Sequence, residues 1–351
     1  MARGTAIGLD IGTSGVRAAE LSFGKGGITL EKFGQVAVPE GAIRDGEVID
    51  GDVVSAAIRQ LWSQTGFTHK NVIMGVANQR VIVRTVDLPW MPIAELRASL
   101  ALQVQDFIPM PVDAAVLDFH PLEELVDGSG SRQLRGLLVA AARDMVMSNV
   151  RAVEAAGLRA VMVDLTSFAV LRSMGKAGVA DSELEALVDI GAKVTNIVVH
   201  SGGVPRFVRI LLMGGQDVTD AVADQLGLPQ TQAEALKQEL GATEGHDEVR
   251  LSAGRAVESM SAAFVDEIRG SLDYFAASNP SGPVQRVVVS GGGSRLRGLA
   301  DRLASATRLP VHVGNPMLGL HLGRTGLTDE QITFVQPLAA VPVGLALGAA
   351  S

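Results

Sequence analysis

The sequence predicts an α/β protein of two lobes around a shared cleft, with a smaller subdomain inserted into the first lobe. Three observations lead there. At 351 residues the chain is longer than one ordinary hydrophobic core supports. Strand and helix patterns alternate along it. Two stretches, "GLDIGTSGVR" at 8–17 and "LVDIGAKVTN" at 187–196, superimpose Asp10 on Asp189, Ile11 on Ile190 and Gly12 on Gly191, which marks an internal duplication about half a chain apart.

The elements follow in order. "TAIGLD" reads as a strand ending at Asp10, and "GVRAAEL" as its return. In "DVVSAAIRQLWSQTG", Val54, Ile58, Leu61 and Trp62 fall at helical spacing and Gly66 supplies the stop. "NVIMGVA" is a buried strand. The insert is expected over 83–157: strand "VIVRTVDLP", a helix from about Ile93 to Phe107 with Leu96, Leu100, Val104 and Phe107 on one face, strands "AAVLDFHPL" and "LRGLLVAAA" joined at "DGSGS", and helix "DMVMSNVRAVEAAG". "RAVMVDLTSFAVLRSM" returns the chain to the first lobe. That lobe is expected to comprise 1–82, 158–185 and a C-terminal helix at about 335–350, with the second lobe over 186–334.

The final stretch, "QITFVQPLAAVPVGLALGAAS", carries no charge and is long enough to span a bilayer. Gln331, Gln336, Pro337 and Pro342 dilute it, small residues dominate, and no basic or aromatic anchors flank it. A buried core helix is the expectation. No secretory signal pattern opens the chain, because the first apolar run breaks at Asp10.

Composition narrows the function classes. The 38 Asp plus Glu exceed the 30 Lys plus Arg, and no dense basic cluster is available to neutralise a nucleic-acid backbone. Zero cysteines exclude disulfides and thiolate metal sites, and the six histidines show no ligand spacing. A cytoplasmic protein is expected.

The chemistry-bearing residues cluster at glycine-rich turns. A tight turn built on Gly12 and Gly15, or on Gly191, lets backbone N–H groups approach a phosphate, and the hydroxyls of Thr13, Ser14 and Thr195 can donate to phosphate oxygens. Asp10 and Asp189, each at a strand end beside its turn, would stand where a hydrated Mg²⁺ needs carboxylates. Arg17 and Lys193 would neutralise remaining phosphate charge. One such turn is ordinary loop chemistry, but two copies at half-chain spacing point to a polyphosphate gripped from both sides. "VVVSGGGSRLRGL" adds a strand, then Gly291, Gly292, Gly293 and Ser294, then a helix start, a turn that presents bare backbone to a ligand. In "GGQDVTDAVADQLGLPQTQAEALK", Gly214 and Gly215 open a helix, and Glu234 and Lys237 lie three apart on a later one.

These elements, in this order, resemble the actin-like (RNase H-like, duplicated) nucleotide-binding superfamily of actin, Hsp70, sugar kinases, MreB, FtsA and PilM. In that pattern "GLDIGTSGVR" and "LVDIGAKVTN" are the two phosphate motifs and "SGGGSRLRGL" the adenosine motif. Glu234 and Lys237 correspond to residues bordering the ribose and base. The insert, with "LLVAAARDMV" and "NPMLGL", is similar to that of the PilM family of type IV pilus assembly and is shared in type with FtsA. Arg17 stands where Lys is more usual, and "ANQR" at 77–80 is polar where a Gly- or Ser-containing stretch is expected.

The resemblance implies ATP and Mg²⁺ as ligands, with at most slow hydrolysis. It also implies a PilN-like inner-membrane partner whose cytoplasmic N-terminal tail docks between the first main subdomain and the insert, placing the chain at the inner face of the membrane through that partner. "IPMPV" at 108–112 is expected to face the first lobe at this junction. No FtsA-type amphipathic tail is apparent. Two alternatives stay open at this point. One is an FtsA-like division protein; the other is a small-molecule kinase of the same fold, for which Asp106, Asp113 and Asp118 are the candidate bases.

Overall fold

A computed structural model describes residues 4–175, 183–242, 247–278 and 282–350. The chain opens with a meander, β1 (Gly4–Gly12), β2 (Gly15–Gly24) and β3 (Gly27–Ala37), and then a short hairpin of β4 (Ile43–Arg44) and β5 (Glu47–Val48). Helix α1 (Gly51–Thr65) is capped by the Asp50 side chain on the Val53 N–H and ends at Gly66 in the left-handed region, φ 70°. Strand β6 (Asn71–Val76) pairs parallel to β1.

The insert follows as β7 (Val81–Pro89), α2 (Ile93–Gln103), β8 (Ala115–Val126) and β9 (Arg132–Ala142), its strands ordered β7-β9-β8. Leu96, Leu100 and Val104 are buried against this sheet, and Phe107 packs at the core's margin. The helix itself stops at Gln103 and a 3₁₀ turn carries Gln105–Phe107. Of "IPMPV", Ile108, Met110 and Val112 turn into the insert, while Pro109 and Pro111 are exposed. Ile108 is buried in the insert's own core, with Met110 and Val112 packed on it, because these apolar groups find the nearer apolar surface.

The next helix, α3 (Arg143–Ala155), was expected with the insert, but its Met145, Val146, Ala152 and Val153 share a core with Ile7, Leu9, Ile58 and Leu61. Its apolar face meets α1, so it packs with the first lobe. Strand β10 (Arg159–Leu165) and α4 (Thr166–Met174) complete that half, whose sheet runs β10-β6-β1-β2-β3-β16, with β16 being His321–Leu322.

The second half repeats the plan. Strands β11 (Leu184–Ile190), β12 (Thr195–Ser201) and β13 (Val204–Leu211) form a second meander, followed by α5 (Gly215–Leu226), α6 (Gln230–Ala242) and the long α7 (Glu248–Ser278). Strand β14 (Arg286–Ser290), α8 (Leu299–Thr307) and β15 (Val311–Val313) complete a sheet of order β13-β12-β11-β14-β15. The two halves match in register. Asp10 lies opposite Arg17 and Asp189 opposite Asn196, while β1 and β11 each take a parallel neighbour, β6 and β14.

Helices α9 (Asp329–Val335) and α10 (Ala340–Leu347) carry the uncharged C-terminal run. The stretch Asp329–Leu347 is apolar and long enough to cross a membrane by composition. A 3₁₀ turn at Gln336–Ala339 divides it, and every α10 residue from Ala340 to Ala346 is buried. Helices α4 and α10 pack on one another between the sheets, α10 on β1, β2 and β6 and α4 on β11 and β12, so Ala169, Val170 and Leu345 share a core with Leu187 and Val198 of the second lobe.

Candidate functional site

The carboxyl ends of β1 and β11 converge on a cleft of about 1390 Å³ between the lobes. The β1–β2 hairpin turns in two residues, Thr13 and Ser14, because Gly12 and Gly15 are the last pair of the ladder. A Cβ on Gly15 would lie 2.6 Å from the Val36 carbonyl oxygen, so only glycine passes beneath β3 there. In the second turn Gly191 N–H donates to Val194 O (2.9 Å), and Gly215 and Gln216 N–H donate to the Gly191 and Ala192 carbonyls (2.9 and 2.7 Å). The start of α5 therefore clamps this turn, using amides that an open helix end would offer to an anion.

Of the expected residues, Asp10, Gly12, Thr13, Ser14, Arg17, Asp189, Gly191, Gly215, Glu234, Lys237 and Gly291–Gly293 line the cavity. Others are turned to structural work. Lys193 was expected on phosphate, but its ammonium pairs with Asp217 (2.9 Å) and with Asp220, on α5. Thr195 is fully buried, and its hydroxyl donates to Met213 O (2.7 Å) instead of facing a ligand. Gly214 packs behind the turn, where a Cβ would sit 2.4 Å from Gly191 O, and Ser294 caps its own loop on Gly291 O (2.7 Å). Gly291 has φ 80°, and its Cβ would meet Ile190 O at 2.3 Å, so the three-glycine turn must be bare to nest against β11.

The electrostatics centre on two carboxylates, Asp189 buried and Asp10 partly buried. Burial pushes Asp10 above the ordinary carboxylate range, opposed by Arg17 at 3.6 Å. Asp189 is pushed up to about 7, first by burial and then by the Asp10 charge, with Ser290 and Arg17 acting the other way. Two carboxyls that disfavour each other's ionisation fit a cation between them. Among the described residues no group of three or more His, Cys, Asp or Glu side chains converges, so a cation held here would draw its other ligands from water or an anion. Arg17 also donates to Ser14 Oγ (3.2 Å), and its buried Nε has no acceptor. On the far wall Glu234 and Lys237 pair at 2.6 Å, and Lys237 donates to Gly215 O (3.0 Å) and Thr219 Oγ1 (2.8 Å).

Several lining residues escaped the motif reading. Asn196, buried on β12, accepts from Thr166 Oγ1 and Ser167 Oγ (both 2.9 Å), tying α4 to the second lobe beside the cleft. The duplication held that signal, since Asn196 occupies the place of Arg17. Arg250, Arg255, Val257 and Glu258 come from α7, and Arg295 and Phe334 close one wall. The spacing of Phe264, Val265, Ile268, Leu272 and Phe275 would have revealed α7.

Two β meanders facing across a cleft, each with an acidic residue before a glycine turn and a third glycine turn behind, define an actin-like two-lobed protein. The chain belongs to the family described as type IV pilus assembly protein PilM, whose model matches residues 8–350. It is 28% identical to a chain of the solved PilM–PilN type IV pilus biogenesis complex, with TM-score 0.87 and 100% of both chains covered. It also resembles MreB5 of Spiroplasma citri bound to ADP, at 12% identity, TM-score 0.52, and 98% and 95% coverage, a likeness of fold. Cell division protein FtsA of Bacillus subtilis (strain 168) is 24% identical over 262 residues, a match covering 67% of this chain and 58% of FtsA.

Proposed function

We propose that this chain is a nucleotide-binding assembly component of a type IV pilus machine, holding ATP with Mg²⁺ in the interlobe cleft and docking the cytoplasmic tail of a PilN-like inner-membrane protein. The observation that carries the reading is the cradle itself: two facing turns, each with a carboxylate at its root, in a chain that matches the PilM–PilN complex structure end to end. Asp10 and Asp189 would hold the cation's water shell. The backbone at Gly12, Gly191 and Gly291–Gly293, with Thr13, Ser14 and Arg17, would meet phosphate and ribose. The bound Mg²⁺ would supply countercharge to the phosphates. The partner fits the family, and through it the chain would stand at the inner face of the membrane.

The kinase alternative loses its bases. Asp106, Asp113 and Asp118 are exposed on the insert and none lines the cleft. FtsA shares the fold and is 24–28% identical, but the PilM family model matches residues 8–350 and the PilM–PilN complex matches at TM-score 0.87, which favours the pilus reading. Hydrolysis, if it occurs, is expected at turnover slower than about 1 s⁻¹, the bottom of the ordinary enzyme range.

Thermal melting with Mg²⁺–ATP tests the site. At a hundredfold excess over Kd, ligand linkage stabilises the fold by about 2.7 kcal/mol. Asp10→Ala should abolish that shift while its apo form still melts cooperatively. An equal shift in the variant, or none in the parent protein, would overturn the assignment.

A further inference from the structure

The second lobe's two expected cations are already engaged. Lys193 is held by Asp217 and Asp220, and Lys237 by Glu234, Thr219 and the Gly215 carbonyl. A third cation from that lobe lines the same cleft. Arg295 ends the 3₁₀ turn Gly292–Arg295 directly after the three glycines, and its guanidinium lies 4.2 Å from the centroid of the Phe334 ring. Stacking occupies the guanidinium face and leaves its edge N–H donors free. Among the described residues no carboxylate or carbonyl takes those donors.

Arg295 is exposed at the cleft surface, and partial desolvation followed by repulsion from Arg17 still lowers its pKa. Arg17 belongs to the first lobe, so two like charges oppose one another across the cleft. Arg17 moreover keeps a buried Nε with no acceptor. A polyanion between the lobes would relieve each of these costs at once, since guanidinium forks match phosphate oxygens.

We propose that Arg295 contacts the nucleotide's phosphates, forming with Arg17 a two-lobe arginine clamp in which the Phe334 ring holds the second guanidinium in plane. The proposal rests on the nucleotide-binding reading above and gives a phosphate role to Arg295 of the "SGGGSRLRGL" stretch, which the family pattern assigns only to adenosine. Arg255, on α7, offers a comparison, being a cleft-lining arginine that belongs to the helical wall and not to the turn beside Arg17.

The test is direct binding of ATP, ADP and adenosine, each with Mg²⁺, to the full chain and to Arg295→Gln, Arg295→Lys, Phe334→Leu and Arg255→Gln, with cooperative melting as the check on folding. Arg295→Gln should weaken ATP about tenfold or more, as loss of a charge-assisted hydrogen bond does, while adenosine changes far less. Arg295→Lys should recover part of the loss, and Phe334→Leu should show a smaller, phosphate-dependent loss. Equal weakening of ATP and adenosine would make Arg295 a base contact and overturn the clamp. An equal loss in Arg255→Gln would reduce the effect to general positive charge and overturn it too. Unchanged ATP binding in Arg295→Gln sinks the clamp alone, whereas a parent protein without nucleotide affinity sinks the clamp and the function together.

Discussion

Asp189 concentrates the residue-scale chemistry of the cleft. Its carboxyl is held at about 7 in the fold against 3.8 as a free group, so the folded state keeps a proton that the unfolded chain has released. Between about pH 4 and pH 7 the folded protein therefore binds more protons, and its stability without ligand falls as pH rises through that window. Asp189→Asn should flatten this slope and raise Tm at pH 8, with an effect of a few kcal/mol at most, while weakening Mg²⁺–ATP binding. Asp10 is shifted in the same direction, so some slope should persist in the variant. Melting curves at several pH values check this; an unchanged pH dependence in Asp189→Asn would show that the buried acid is not the source. Glycine works at the same scale by absence. Gly293→Ala would press a methyl to 2.2 Å from Ile190 Cγ2, so the turn should move and nucleotide affinity should drop with little loss of secondary structure by circular dichroism.

Two elements show how packing assigns roles that local pattern leaves open. Helix α10 sits tightly between α4 and the first-lobe sheet because its contacts are backbone-close. A Cβ on Gly344 would stand 1.8 Å from Ala169 O, and one on Gly8 would stand 2.0 Å from Pro342 O. Gly344→Val should abolish cooperative folding, and Leu345→Ala, emptying a fully buried position, should cost about 2–5 kcal/mol in urea melts. The β4–β5 hairpin is held by buried amides: Asn149 Oδ1 accepts from Val48 N–H (3.1 Å) and its Nδ2 donates to Gly46 O (3.2 Å), while Asn78 donates to Asp45 O (2.6 Å). Arg80 adds ion pairs to Glu47 (2.9 Å) and Asp144 (2.8 Å). The polar "ANQR" stretch is thus a clamp joining the hairpin, whose Gly46 lines the cleft, to the root of the insert. Asn149→Ala leaves a buried N–H unpaired and should cost about 1–3 kcal/mol. An unchanged urea midpoint would contradict that account.

At the scale of the whole molecule, the insert is a small core attached through two strands. Val83 and Val139 are partners in the β7–β9 ladder and pack on the first lobe's core, so the excursion between them can be removed at its narrowest point. Excising Arg84–Leu138 and joining Val83 to Val139 should leave ATP-induced stabilisation intact and abolish binding of a PilN-type tail peptide, measured by anisotropy. Excising 83–157 instead removes α3 with Met145, Val146, Ala152 and Val153, and no cooperative melt should remain. Tail binding that survives the smaller excision would place the groove elsewhere than the junction with the insert.

Much of the plan was legible because it is written in short-range pattern. The apolar run before Asp10, the matching run before Asp189 and the glycines after each specify strand and turn whatever surrounds them, since strand periodicity and turn dihedrals are properties of neighbouring residues. The duplication was readable for the same reason. Tertiary structure decided which side chains these turns present to the cleft and which they turn away. Lys193 and Thr195 share a turn with Gly191, yet α5 and Met213 capture them, residues about twenty positions downstream that no local window contains. The same holds for α3, whose helical pattern is plain in the sequence although its partner α1 is some ninety residues upstream. Arg295 lies within the "SGGGSRLRGL" motif, which does not say which wall of the cleft its side chain lines. Arg17 and Arg295 line one cleft only because α10 and α4 pack the two lobes together, a juxtaposition that the linear order does not encode.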